Sequence, residues 1–480
     1  MNKKNLPFVL LTLSMFIVLI VPALLQDGMF LDGLQYSCVA KNMAVGKGSF
    51  WQPCFSDTWW KSYSGVFLEQ PPFGIWLQSL FFRMFGEGMY VERFYALVTA
   101  LVNALFIILI WKLLFKNKTD LLKLWWMPVL FWISIPVCYW SVQNNMLEIT
   151  MSIFTLAAVY FSLRVMVLKK LKIVNLIVSG LCVFLATLTK GLPGLFPLVI
   201  IPLYWFMFKN TSWLKALLYT LCLICIPLVA YGIVMPNPVA AHSLHFYFFE
   251  RLLSRISDDP TATNRFDTLF RVISELLPIM ITVATIFMIS KIKKQKIVSE
   301  KTQFKTAMFF IITGCSASLP LMLTMVQKGF YFVPALPFFA LGFAVLLAEI
   351  VARWIVKINV QSLGYKLLTA TVVLMLCASL LYSGYKSGSI SRDEAVVHDV
   401  YLFGSVIPKG SIVKVDKKVY DNWSVQCYLN RYFDIAVSIS DQFHYKYWIK
   451  EKNKLQPENA KLKKVALPTE TLELYVIEHP

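Results

Sequence analysis

The chain has 480 residues, 58% hydrophobic and only 15% charged, with a formal charge of +19. A soluble domain carries roughly 25% charged residues, so a water-soluble fold of this size is excluded. So are a disordered chain, a coiled coil, collagen and a small disulfide scaffold; the class that remains is a polytopic membrane protein.

Eleven apolar stretches approach the ~20 residues that an α-helix needs to cross a bilayer. They cover residues 7–25, 91–111, 124–141, 147–168, 173–189, 191–208, 216–235, 269–290, 306–326, 331–351 and 366–384. With Lys3 and Lys4 placed in the cytoplasm, the cytoplasmic segments hold 21 basic residues and three acids, Asp120, Glu300 and Glu349. The opposite face, before the C-terminal tail, holds 11 basic and 12 acidic residues. This is the positive-inside bias, and it accounts for the net charge without nucleic acid. Eleven crossings put the tail outside. No small-residue cleavage site follows the first stretch, so an uncleaved first helix is expected.

Two outer loops are long, at about 26–90 and 236–268. In the first, Leu31 to Met43 reads as a helix. Pro71-Pro72 opens a second amphipathic helix, Phe73 to Phe85, because proline suits a first helical turn. It is too short to span and is expected to lie along the interface, where Trp51, Trp59, Trp60 and Trp76 suit the headgroup zone. The chain thus divides into a membrane domain, 1–385, and an extracytoplasmic tail, 386–480. The tail has β-rich runs at Ser411–Val415, Asp434–Ser438 and Leu472–Ile477 and reads as a small α/β domain. The fold class is an all-α polytopic membrane protein plus this domain. Cys222 and Cys225 sit in an apolar stretch without histidine partners and read as packing. Cys38 and Cys54 fall in the first outer loop, where a disulfide is chemically permitted.

Charge at an apolar boundary is expensive, so it is paired or functional. The outer candidates are Asp27, Asp32, Glu69, Glu148, Lys190, Arg251, Arg255 and Lys328. Asp32 opens a helix, where a carboxylate is favoured by the helix dipole or serves as a base. Glu69 caps the following helix or acts chemically. A carboxylate at Glu148, heading an apolar span, is hard to explain as packing. Lys190 and Lys328 either snorkel or face a phosphate.

In order, the chain shows an Asp after the first span, Glu-x-Pro-Pro at 69–72 and an acid heading the fourth span. Leu-Thr-Lys-Gly-x-Pro at 188–193, Phe-Phe-Glu-Arg at 248–251 and Lys-x-x-Tyr-x-x-Pro-x-x-Pro at 328–337 follow. Residues 1–385 so resemble the GT-C class of polyprenyl-phosphate-sugar glycosyltransferases, nearest the protein O-mannosyltransferase-like and lipid A aminoarabinose transferase families. The resemblance implies Asp32 and Glu69 as catalytic carboxylates. It implies Glu148, Lys190, Arg251, Arg255, Lys328 and Tyr331 as substrate-binding residues. The lysine of the family's Glu-Lys-Pro-Pro motif is Gln70 here, and Glu250-Arg251 stands where some relatives have Glu-His at a metal. A divalent metal near Glu69 stays open, and no other cofactor is implied.

The implied reaction moves a sugar from a polyprenyl phosphate to a hydroxyl of lipid A, another glycolipid or a protein, at the periplasmic face of an inner membrane. A lipid-linked-sugar flippase or transporter is the rival class; it usually shows internal repeats and mid-membrane charges, and neither is seen. An O-antigen-ligase-like transferase is a third reading.

Overall fold

The computed structural model describes residues 3–59, 65–168, 171–254, 260–294, 301–452 and 462–478. Its helices in chain order are α1 (Leu6–Leu24), α2 (Leu31–Ala44), α3 (Phe73–Phe85), α4 (Val91–Leu114), α5 (Thr119–Leu122), α6 (Trp126–Ile133) and α7 (Pro136–Gln143). Then come α8 (Leu147–Val167), α9 (Lys172–Lys190), α10 (Ile200–Phe208), α11 (Trp213–Val234), α12 (Pro238–His245), α13 (Asp267–Ile292), α14 (Lys301–Ser318), α15 (Leu336–Val356) and α16 (Leu363–Lys386). The tail adds α17 (Glu394–Val406), α18 (Lys417–Asp421) and α19 (Trp423–Phe433).

Among the described residues, nine helices are long and apolar enough to cross a membrane. They coincide with nine of the eleven expected stretches. The other two depart for reasons of backbone chemistry. Stretch 124–141 is broken into α6 and α7, bent by 77°. Pro136 begins α7, and Ile135 before it is extended, at φ −76 and ψ 122, because proline disfavours the helical conformation in the residue it follows. Stretch 191–208 begins as a 3₁₀ segment, Leu192–Val199, containing Pro193 and Pro197, and becomes α-helical only at Ile200.

The chain forms two compact units, one of residues 1–22 and 96–385, the other of 23–95 and 386–480. In the first, α8 and α15 are the inner helices: 72% and 83% of their apolar windows are buried, against 11% for α11 and 17% for α16. The outer helices keep apolar surface for lipid. Small residues let the inner helices approach. Ser162 and Ser179 hydrogen-bond at 2.8 Å between α8 and α9, and Asn103 Nδ2 of α4 donates to the Ile149 carbonyl of α8 at 3.0 Å. Such polar pins suit a medium that offers the backbone no water.

The second unit combines the first outer loop with the tail. Its sheet has the order β2-β1-β3-β5-β4, with strands β1 (Ile412–Val415), β2 (Ala436–Ser438), β3 (Tyr447–Glu451), β4 (Leu462–Lys464) and β5 (Leu472–Ile477). β1 pairs in parallel with β2 and β3, and β5 pairs antiparallel with β3 and β4. The three expected strands are present; β3 and β4 add to them. Asp399 of α17 is fully buried and accepts from the backbone N–H groups of Glu470, Thr471 and Leu472, tying that helix to β5.

Helix α2 packs on α3 and on α19 of the tail. Residues Gly33 to Met43 of α2 are all buried. Cys38 donates its thiol to the Cys427 carbonyl, and both Cys38 and Cys54 are free thiols. The permitted bridge is therefore not formed. Trp60 lies outside the described residues.

Candidate functional site

In the unit built from the first loop and the tail, Asp32 is half-buried in the first turn of α2, after an extended Phe30. Glu69 is also half-buried, three residues before Pro72 caps α3. Asp32 is near enough to α19 that its charge acts on Cys427. Burial first, then the Cys38 thiol and the Asp32 carboxylate, push that thiol well above its usual range. Lys41, two turns along α2, is 2% exposed and donates to the Asn430 carbonyl at 2.8 Å. Its burial holds the ammonium below the usual lysine range. The helix that carries Asp32 is thus fixed from behind by the tail.

Asp27 has a structural role. It is 3% exposed and accepts from the hydroxyls of Tyr432 and Tyr401, with Arg93 at 3.7 Å. The Gly28 conformation, at φ +81, also has a physical cause: a Cβ there would come within 2.3 Å of the Arg392 carbonyl oxygen.

In the membrane unit, Glu148 and Lys190 form an ion pair at 3.2 Å, with side chains 1% and 7% exposed. Glu148 is in the first turn of α8, and Lys190 is the last residue of α9. Each therefore also complements its own helix dipole. The two helices pack antiparallel, and the pair closes one end of their hairpin. Lys190 is accordingly a buried, paired ammonium and not a snorkelling one.

Tyr247 completes this group and was not anticipated. It lies in a short π-helix, Phe246–Leu252, and donates to the Lys190 carbonyl at 3.2 Å. Its hydroxyl would stand 2.1 Å from a Cβ at position 191, where φ is +79, so the Lys190-Gly191 turn needs its glycine. A π-helix often marks a functional segment, but no residue-level pattern in the sequence announces one. Arg251, half-buried, is on the same π-helix. Arg255 lies outside the described residues.

Lys328 is exposed and Tyr331 half-buried; they share a turn in which the Tyr331 N–H donates to the Lys328 carbonyl at 3.1 Å. The turn is anchored by Gln327, which is 2% exposed. Its side chain accepts from Thr268 N and Oγ1 and donates to the Arg265 and Thr324 carbonyls. Arg271 of α13 brings a guanidinium against Gly329. It was missed because it sits inside an apolar stretch. The structure thus brings Glu148, Lys190 and Tyr247 together, and separately Lys328, Tyr331 and Arg271.

Among the described residues, no three Asp, Glu, His or Cys side chains converge as metal ligands. Glu250 is exposed and its neighbour is Arg251. Among the described residues this donor set does not fit a metal held by the protein alone.

The fold class that the resemblance implies, an apolar helical bundle with a long first loop and a small α/β tail, is the one observed. The family model described as dolichyl-phosphate-mannose-protein mannosyltransferase matches residues 69–233, about a third of the chain. The undecaprenyl phosphate-alpha-4-amino-4-deoxy-L-arabinose arabinosyl transferase of Wigglesworthia glossinidia brevipalpis is 26% identical over 216 residues, 43% of this chain. The match spans only 36% of that relative's length. The fold is that of ArnT from Cupriavidus metallidurans, whose structure bound to undecaprenyl phosphate matches with a TM-score of 0.67 over 97% of both chains at 13% identity. The apo oligosaccharyltransferase of Archaeoglobus fulgidus matches more distantly, with a TM-score of 0.51 and 12% identity over 94% of this chain and 70% of that one.

Proposed function

We propose that this protein is an integral membrane glycosyltransferase that moves a sugar from a polyprenyl-phosphate donor to a hydroxyl acceptor. The observation that carries the reading is the buried Glu148–Lys190 pair, a costly charged feature inside the segment matched by the mannosyltransferase family, in a chain with the ArnT fold. The acceptor oxygen attacks the anomeric carbon, the bond from that carbon to the phosphate oxygen breaks, and polyprenyl phosphate leaves. Asp32 accepts the hydroxyl proton as general base. Glu69 is the second carboxylate of that chemistry.

Lys190, Lys328, Arg251 and Arg255 balance the leaving phosphate's charge, and Tyr331 donates a hydrogen bond. Glu148, paired with Lys190 at 3.2 Å, aims its ammonium. The acceptor is lipid A, another glycolipid or a protein hydroxyl. The basic loops face the cytoplasm, so the chemistry and the tail face the periplasm across an inner membrane.

The test is mass analysis of envelope lipids and glycoproteins with and without the protein, together with transfer of labelled sugar from undecaprenyl phosphate in proteoliposomes. The expected result is one acceptor class that gains a sugar mass only with the protein. If no lipid or protein gains that mass, and the labelled donor is instead carried intact across the bilayer, the transporter reading replaces this one. A reporter that works only after export, fused at Lys116, is expected to stay silent; activity there would invert the orientation.

A further inference from the structure

The unit of first outer loop and tail holds three of the chain's nine cysteines, Cys38, Cys54 and Cys427. The other six belong to the membrane unit. The sequence permits a bridge from Cys38 to Cys54, because both fall in one loop. The tertiary structure brings Cys38 to a different partner.

Helices α2 and α19 meet along a seam of one-turn steps. The Cys38 thiol donates to the Cys427 carbonyl at 3.1 Å. Lys41, three residues further along α2, donates to the carbonyl of Asn430, three residues further along α19, at 2.8 Å. The two helices therefore run the same way along this seam. Lysine reaches its carbonyl over a long side chain, whereas cysteine has only one sulfur beyond its Cβ. The two backbones are thus close at the Cys38 step, as a cross-link as short as a disulfide requires. The Cys38 and Cys427 side chains also hydrogen-bond to each other. Both residues are 0% exposed.

Cys54 is placed differently. It forms a bridge with Val66 in its own hairpin, and a Cβ on Gly65 would lie 3.3 Å from its sulfur. That sulfur is turned into the hairpin.

We propose that Cys38 and Cys427 form a disulfide that ties α2 of the first outer loop to α19 of the tail. The structure shows the pair reduced. The proposal rests on the orientation proposed above, which puts this unit outside the cytoplasm, where disulfides persist. The oxidant is the disulfide of a thiol-oxidase protein of that compartment. A thiolate of one cysteine attacks this disulfide and releases one of its sulfurs as a thiolate. The thiolate of the other cysteine then attacks the mixed disulfide and releases the second. One S–S bond forms and one breaks; the two cysteines are oxidised, and the oxidase is reduced to its dithiol.

In the folded unit both thiols are out of reach of such a partner. The bond is therefore made while α19 is docking on α2, and burial afterwards protects it from reduction. It closes a loop of 389 residues and removes freedom from the unfolded chain. It also fixes the helix whose first turn carries Asp32.

The test is peptide mapping by mass spectrometry. Membranes holding the full chain are dissolved in SDS with N-ethylmaleimide and without reductant, then digested. Cys54 is expected to carry the label. Cys38 and Cys427 are expected in one linked peptide pair, two hydrogens lighter than the free peptides together, and to take the label only after reduction. In Cys427→Ala, Cys38 is expected to be labelled without reduction; because the labelling is done in SDS, this reading does not depend on how well the variant folds. If Cys38 and Cys427 of the unmodified protein are labelled as fully as Cys54 without reductant, the inference is overturned. A linked Cys38–Cys54 pair overturns it as well. The reporter at Lys116 separates the two readings: unlinked cysteines with a silent reporter remove the bridge alone, and unlinked cysteines with an active reporter remove the bridge together with the orientation.

Discussion

Arg431 and Glu92 are bound to each other with no solvent exposure on either side chain. Nη2 of the arginine lies 2.6 Å from Oε2 of the glutamate, and Nε lies 3.2 Å from Oε1. The guanidinium also donates to the Glu87 and Gly88 carbonyls and stacks over Phe82. Residues 339 apart in sequence so lock the first outer loop to the tail.

Breaking this pair is expected to be expensive. Removal of one partner from a buried ion pair typically costs about 3–5 kcal/mol, since the other charge stays buried. Arg431→Met should lower the unfolding midpoint of this unit and open the first outer loop to protease. Arg431→Lys should not restore it, because lysine has no planar fork to match two carboxylate oxygens and two carbonyls. Unchanged proteolysis in Arg431→Met would show that the pair contributes nothing to stability.

The Glu148–Lys190 pair allows structure and chemistry to be separated. Lys190→Met takes the paired ammonium away from the buried Glu148 carboxylate and should impair both folding and turnover. The double variant Glu148→Gln with Lys190→Met removes the stranded charge and should recover the melting temperature. Its sugar transfer should remain about 10–150-fold down, the span of a lost charged hydrogen bond at ~1.5–3 kcal/mol. Recovery of transfer along with stability would leave Lys190 a structural residue.

Asp32→Asn keeps the size of the side chain and removes the proton acceptor. Loss of a general base typically costs about 10²–10⁴-fold in rate. Donor binding should be retained, because the cations are untouched. Labelled-sugar transfer at equal protein level measures this, and a rate within about threefold of the unmodified protein would remove Asp32 from the chemistry and bring Glu69 forward.

Tyr401 and Tyr432 titrate above the usual tyrosine range. Burial is the main cause, and the Asp27 carboxylate adds to it. A phenol whose folded pKa is raised contributes stability that is full below the unfolded value of about 10 and is lost as pH rises above it. The unit of loop and tail should therefore loosen between about pH 10 and 12. Circular dichroism across that range should show a shallower loss for Tyr401→Phe than for the unmodified protein, compared at equal starting stability. Parallel curves would mean that Tyr401 does not contribute to the alkaline transition.

Nine membrane-length helices were legible because apolar length is a local property that needs no partner. The first-loop helices were legible too: Phe73–Phe85 follows its proline pair, and Leu31–Met43 agrees with the structure to one residue. Local chemistry also explains the two departures, since Pro136, Pro193 and Pro197 interrupt the spans in which they lie. The sequence likewise identified Glu148 and Lys190 as boundary charges needing an explanation. It could not show that they neutralise each other, because that depends on α8 and α9 folding back antiparallel. Asp27 and Asp32 looked alike, five residues apart, yet one is consumed by two tyrosines and an arginine of its own unit while the other opens a helix half-exposed. Tyr247 carried no signal beyond being aromatic. What separated these residues was contact between segments hundreds of positions apart. Burial and pairing set the energy of a charge, and only the tertiary structure decides which charges are buried and with whom.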